Sequence, residues 1–283
     1  MDRFSVSHYI CPPDYPIARF LEVAREVGAD AVALSVPALM KTGARPLRTM
    51  LDDAGLAVSS LNSAGYMTYP VGPRWHEQDR RNRELVEAAA ELGAGVLCVI
   101  TGGLAPADTT IEEARARVRG RLAELLEFAT TRGVELGLEP IHPAEIINKG
   151  CVNSIGQALG ICDELPGLRL VVDHYHSWWD PGFRGLFFSD LPRVALVQIC
   201  DVRAPAQGLP LDREVLSEGS VDCTWLISHA EQSGYRGWYE FELFAHSLRG
   251  RSVRDLLSIA ARTVGAQSVA RRMPSRASPA VDE

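Results

Sequence analysis

An eight-stranded parallel β/α barrel is the fold class this sequence predicts. Two observations carry it. Short apolar runs, suited to strands buried on both faces, alternate with helical spacing eight times within about 265 residues. Several of the helical stretches stop at a glycine, as at Gly28, Gly55, Gly93, Gly133 and Gly234. An alternation of that length closes most economically as a barrel. An open doubly wound sheet would carry a Gly-rich turn after its first strand, where His8-Tyr9-Ile10-Cys11-Pro12-Pro13 stands instead.

In chain order, the strands read Arg3 to His8, Ala31 to Val36, Ala57 to Leu61 and Val96 to Ile100. The next are Val134 to Leu138, Leu168 to Val172, Val194 to Gln198, and a run starting at Trp238. Helices fall at Pro16 to Val27, around Leu47 to Ala54, Glu77 to Leu92, Thr109 to Thr131 and Asn153 to Leu165. They continue at Arg184 to Leu191, Thr224 to Gln232 and Ser252 to Val264. Thr109 or Thr110 caps the long helix, with acidic residues in its first turn. Long loops are read at Asn62 to Pro73 and Asp201 to Asp222. Residues 1–265 are expected to form one barrel, and 266–283 a disordered tail.

Composition narrows the function. The chain has 283 residues, is 46% hydrophobic, and sets 29 basic against 36 acidic residues for a net charge of −7. That balance speaks against a nucleic-acid binder or a membrane-surface protein. No run reaches the roughly 18–20 apolar residues of a membrane span, and no signal-peptide pattern opens the chain. Six cysteines without a CxxC pair suit a reduced, cytoplasmic protein. The only lysines, Lys41 and Lys149, lie outside the strand-like runs, which disfavours Schiff-base chemistry.

Four strand ends carry the chemistry: Glu139, Asp173, Gln198 and Glu242. Barrel active sites lie at that end of the strands. Three converging carboxylates repel unless a cation sits among them. The alternative is that each acid pairs with an Arg. Two Glu, one Asp and one Gln amide form an all-oxygen set suited to one hard divalent ion, Mn²⁺ or Mg²⁺ before Co²⁺ or Zn²⁺. Arg203, just past the seventh strand, is a candidate for a substrate oxygen or phosphate. Asp201 reads as a residue that orients a neighbour, and Tyr66, Tyr69, Trp178 and Trp179 as walls of the mouth.

Leu-Glu-Pro at 138–140, Val-Asp-x-x-His at 172–176, Val-Gln-Ile-x-Asp at 197–201 and Gly-Tyr-x-Gly…Phe-Glu-Leu-Phe at 234–244 resemble the xylose-isomerase-like barrel superfamily. The resemblance covers about residues 3–265 and is specific for the superfamily rather than for a substrate. It implies that Glu139, Asp173, Gln198 and Glu242 are metal ligands, and that Glu139 and Glu242 also act as the acid/base pair. Many members carry His where Gln198 stands. Glu242, before Leu-Phe, matches the family's Glu better than Glu240. By the same resemblance His176 and Glu145 contact the substrate. The implied reaction is isomerisation or epimerisation of a ketose-like sugar, sugar phosphate or small hydroxy-ketone through an enediolate, by a protein acting alone or as a homo-oligomer. The alternative is a lyase for an inosose- or dehydroshikimate-like substrate. A nuclease acting on damaged DNA would need several zinc ions and a basic face, against which seven His and a charge of −7 count. A non-catalytic binding barrel is the remaining reading.

Overall fold

A computed structural model describes residues 3–104, 110–204 and 211–269. Its strands are β1 (Phe4–Ser7), β2 (Ala31–Ser35), β3 (Ala57–Gly65), β4 (Val96–Ile100) and β5 (Leu136–Leu138). They continue as β6 (Arg169–Asp173), β7 (Val194–Ile199), β8 (Asp201–Arg203), β9 (Asp212–Glu214) and β10 (Trp238–Phe241). All except β8 and β9 run parallel in one closed barrel, with β1 lying between β2 and β10. The expected eight-fold β/α barrel is the fold observed.

The main core lies between barrel and helices. Phe4, Leu34, Leu61 and Phe241 of the strands are fully buried together with Phe20, Leu47, Leu51 and Leu92 of the helices. Inside the barrel, Val96, Cys98, Val171 and Leu196 form a small apolar floor. Next to it lie buried polar residues, Ser5, Ser59, Ser60, Gln198 and Glu240. The barrel interior is therefore polar on the side where β7 and β10 carry Gln198 and Glu240 opposite one another.

The first departure from the sequence reading has that cause. β3 extends to Gly65, into the stretch read as a loop. Its inward residues Ser59, Ser60 and Asn62 serve a polar interior, so the apolar signal stops before the strand does. Val36–Thr42 is a helix capped by Ser35, whose side chain accepts from the Ala38 amide; its seven residues, about two turns, are too few to show periodicity. The helix read from Glu77 begins at Pro73. His174–Ser177 coils directly after Asp173, whose carboxylate caps it. The loop read at Asp201 to Asp222 contains an antiparallel ribbon, β8 with β9. The last helix runs through Val269, past the expected boundary at 265, and the rest of the predicted tail, 270–283, lies outside the described residues. Thr110 caps its helix in a reciprocal box with Glu113; the alternative cap Thr109 lies outside the described residues. Among the described residues no helix is long and apolar enough to cross a membrane.

One glycine fixes the mouth. At Gly65 φ is +122°, and a Cβ there would lie 1.7 Å from the Ile100 carbonyl oxygen. Asn82 pins the same residue, accepting from its N–H at 3.0 Å and donating to its carbonyl at 2.9 Å. Both the backbone angle and the contact exclude a side chain. Gly65→Ala is predicted to destabilise the protein by about 2–4 kcal/mol, from strain and overpacking together. Urea melts measure this; a loss within experimental error would show that β3 and β4 do not need this approach.

Candidate metal centre at the barrel mouth

Glu139 and Glu242 each stand one residue beyond a strand yet continue its ladder. The Glu139 amide donates to the Val99 carbonyl at 3.0 Å and the Glu242 amide to that of Ile199 at 3.1 Å. Backbone pairing thus fixes where both side chains start. Asp173 ends β6, and its Oδ1 accepts from the Tyr175 amide at 2.9 Å. The short helix that this cap begins carries His176 back over the site. His176 Nε2 lies 3.8 Å from Glu139 Oε1 and 3.9 Å from Asp173 Oδ2. The ligand atoms of Glu139, Asp173 and His176 all fall within 4.8 Å of one another, the one such group among the described residues.

The His176 ring has a defined proton. Its Nδ1 lies 3.1 Å from the His142 amide nitrogen, which can only donate. Nδ1 is therefore the acceptor, and the hydrogen of the neutral ring sits on Nε2. Burial pushes this imidazole down to about 3, with the Asp173 charge opposing, so it is neutral across the physiological range.

The residue that sequence reasoning missed is Arg213, on β9. The ribbon folds its guanidinium into the mouth, where only 3% of the side chain is exposed. Nη1 donates to Asp173 Oδ1 at 3.1 Å, and Nη2 pairs with Asp173 Oδ2 and lies 3.3 Å from Glu242 Oε2. The guanidinium packs 4.6 Å from the Tyr175 ring centroid and 5.2 Å from that of Phe244. A charged residue in a polar loop has no periodicity to betray it; the run Asp212-Arg213-Glu214 is the only trace in sequence.

Electrostatics divides the three acids. Burial pushes Asp173 up, but Arg213, by charge and hydrogen bond, with the Tyr175 amide, outweighs it and holds the carboxyl below its ordinary value. Glu139 goes the other way: burial, then the charges of Asp173 and Glu242, push it well above the carboxylate range. Glu242 is pushed up to about 8, by burial first and by Asp173 and Glu240, against the pull of Arg213. One guanidinium therefore serves Asp173 and leaves the other two carboxyls short of positive charge. Lys149 stands on the same cavity and offsets both in part.

Gln198 supplies the next observation. Its Nε2 donates to Glu240 Oε1 at 2.9 Å, while its Oε1 is buried and accepts nothing from the protein. A buried carbonyl oxygen without a donor, beside carboxyls short of positive charge, fits a divalent cation. Glu139, Asp173, Gln198 and Glu242, the four strand-end residues, could contribute oxygens to it. Glu240 lies deeper, satisfied by neutral donors: Ser59 and Ser60 hydroxyls at 2.7 Å and the Gln198 amide.

Glu139, Glu242, His176, Arg213, Lys149 and Tyr66 line a cavity of about 140 Å³. Tyr9 and Phe244, with ring centroids 5.1 Å apart, separate it from a larger, mostly apolar hollow of about 650 Å³ beside Pro12, Pro37 and Ala38. Two expected substrate residues are placed elsewhere. Arg203 is turned to the buried Glu214 and lines neither space, because β8 points it away from the mouth. Glu145 sits in the turn Pro143–Glu145, half-buried, outside the lining of both. Asp201 does not orient a side chain; it accepts from the Gly219 and Cys223 amides and ties down the loop after the ribbon. Of the four aromatic residues read as walls, Tyr66 lines the cavity; Trp179 instead donates to the His176 carbonyl at 2.9 Å.

Residues 21–264 match the family described as xylose isomerase-like TIM barrel. The chain superposes on a protein of Sinorhizobium meliloti 1021 with a TM-score of 0.86 and 27% identity, covering 93% of this chain and 97% of that one. It shares its fold with an L-ribulose 3-epimerase (TM-score 0.78, 19% identity, 99% and 100% covered). It does so equally with the IOLI protein, solved with a binding zinc atom (TM-score 0.79, 18% identity, 94% and 97% covered). No curated protein matches the chain significantly. The chain belongs to the xylose isomerase-like TIM barrel family.

Proposed function

We propose that this protein is a divalent-metal-dependent isomerase or epimerase acting on a ketose-like sugar or small hydroxy-ketone. The observation that carries the reading is the pair Glu139 and Glu242. Both line one buried cavity, and both are held above the ordinary carboxylate range. A buried carboxyl raised above its ordinary value holds a proton more tightly than an exposed Glu, so it can take one from carbon and give it back more readily. Structural likeness to solved sugar epimerases agrees with this class.

In the proposed reaction one Glu removes the proton from the carbon next to the carbonyl. The other returns a proton to the opposite face, giving the epimer; return to the former carbonyl carbon, with the hydroxyl proton passing to the former carbonyl oxygen, gives the isomer. A bound divalent cation would act as a Lewis acid toward the carbonyl and the adjacent hydroxyl. Arg213 and Lys149 stabilise negative charge as it develops on the substrate oxygens. His176 presents its Nε2–H as a hydrogen-bond donor. The apolar hollow beyond Tyr9 and Phe244 gives room for the part of the substrate that does not react.

Two outcomes are expected. Glu139→Gln and Glu242→Gln keep size and one oxygen but cannot shuttle a proton. Each should cut deuterium uptake from D₂O into a responsive ketose by roughly 10²–10⁴-fold, with metal content measured on the same samples. Near-normal exchange in both variants sinks the two-carboxylate reaction. Elemental analysis should find one divalent ion per chain; none would favour charge compensation by Arg213 and Lys149 alone.

Chelator-treated protein should show a defined pH dependence. Folded Glu242 titrates at about 8 against an ordinary 4.5, so the fold holds a proton that the unfolded chain releases, and stability is lost as pH rises toward 8. His176, at about 3 against 6.5, acts oppositely, losing stability as pH falls below 6.5. The window from 6.5 to 8 isolates the carboxyl effect. There the melting temperature should fall with rising pH in chelator and hold level with Mn²⁺ present. A rise across that window without metal contradicts the assignment.

A further inference from the structure

We propose that Glu240 is a positioning residue that fixes which end of the Gln198 amide faces the cation, a role resting on the reading of this mouth as a metal centre. Glu240 is fully buried, in register with Gln198 on the neighbouring strand. Its Oε2 accepts from the Ser59 and Ser60 hydroxyls, both at 2.7 Å, and its Oε1 from Gln198 Nε2 at 2.9 Å and Asn62 Nδ2 at 3.4 Å. Asn62 in turn donates to Ser60 Oγ at 2.8 Å, and Ser59 meets Ser5 at 2.6 Å. The carboxylate is thus held from β3 and cannot follow a change in Gln198.

A carboxylate only accepts hydrogen bonds. The two ends of an amide are alike in shape and opposite in polarity. Rotated by half a turn, the Gln198 oxygen would meet a Glu240 oxygen, acceptor against acceptor. The rotamer in place is the one with N–H on Glu240, and it leaves Oε1 buried with no partner. Glu240 thereby makes a neutral, orientation-ambiguous side chain into a ligand with one defined donor atom. Glu242, two residues on, faces the cavity instead.

The test is Mn²⁺ affinity of the full chain after chelator treatment, read from the free-ion electron paramagnetic resonance signal, with circular dichroism melts on every variant. Glu240→Met removes the acceptor and should weaken Mn²⁺ binding about 10–100-fold, as loss of an outer hydrogen-bond partner does elsewhere. Gln198→Ala should lose at least as much. In the Gln198→Ala background, Glu240→Met should cost no more than about threefold further, since the effect runs through Gln198. Glu240→Gln can still accept through its own amide oxygen and should recover binding to within about threefold of wild type. Equal losses from Glu240→Met with and without Gln198 overturn the proposal, as does wild-type affinity in Gln198→Ala. Should Glu240→Met fail to fold, Glu240→Gln decides: a loss of tenfold or more that persists in the Gln198→Ala background overturns it. Absence of Mn²⁺ binding by the wild-type chain instead refutes the metal reading on which it rests.

Discussion

The pair of Asp173 with Arg213 is the interaction on which the mouth depends. A buried carboxylate with no exposure costs several kcal/mol unless a cation meets it. Arg213 meets it with both terminal nitrogens, the planar fork that suits a carboxylate. The guanidinium reaches there because β9 folds back antiparallel on β8. That ribbon has its own outer ring of charge: Asp212 is paired with Arg249 and His246, and the fully buried Glu214 with Arg203, Arg249 and Arg251. Charges therefore alternate outward from the barrel, acid, base, acid, base. Removing Arg213 would leave Asp173 uncompensated and release the inner anchor of the ribbon.

Depth sorts the two carboxylates of β10. Glu240 is surrounded by hydroxyls and amides, Glu242 by charges. Burial raises both; around Glu240 the neutral donors oppose that rise and hold its two oxygens in place. Charged neighbours and a cavity leave a carboxyl free to gain or lose a proton as its surroundings change. Two glutamates of one strand, on the same face, thus reach different chemistry through what lines each layer of the barrel.

The barrel was legible because its strands are apolar on both faces and its helices stop at glycines. Leu136–Leu138, Arg169–Asp173 and Val194–Ile199 announce themselves as buried runs. The end of β3, residues 62–65, did not, since Asn62 points into a polar interior and Asn-Ser-Ala-Gly looks like loop in sequence. The placing of Glu139, Asp173 and Glu242 around one mouth follows from their being at strand ends, information the sequence does carry. Arg203 and Arg213 show the opposite limit. Both are arginines of the segment after β7, and only the hairpin geometry of β8 with β9 decides that Arg213 turns inward and Arg203 outward. Lys149 entered the cavity for the same reason, on a loop folded back across the mouth.

Backbone donors also shape the site's chemistry. The Tyr175 amide takes one oxygen of Asp173, and the His142 amide takes Nδ1 of His176. With Nδ1 occupied, the neutral ring turns an N–H, not a lone pair, toward Glu139 and Asp173. Within the group Glu139, Asp173 and His176, two residues can then coordinate and the third can only donate. Under the metal reading, the remaining ligand atoms must come from Gln198 and Glu242, and the set becomes all oxygen. Hard divalent ions favour such a set, and softer ones gain nothing from it without an imidazole. Gln198 on β7 thus has a counterpart in the hydrogen bond to His176: the one offers oxygen rather than nitrogen, and the other keeps the nearest imidazole from turning a lone pair inward.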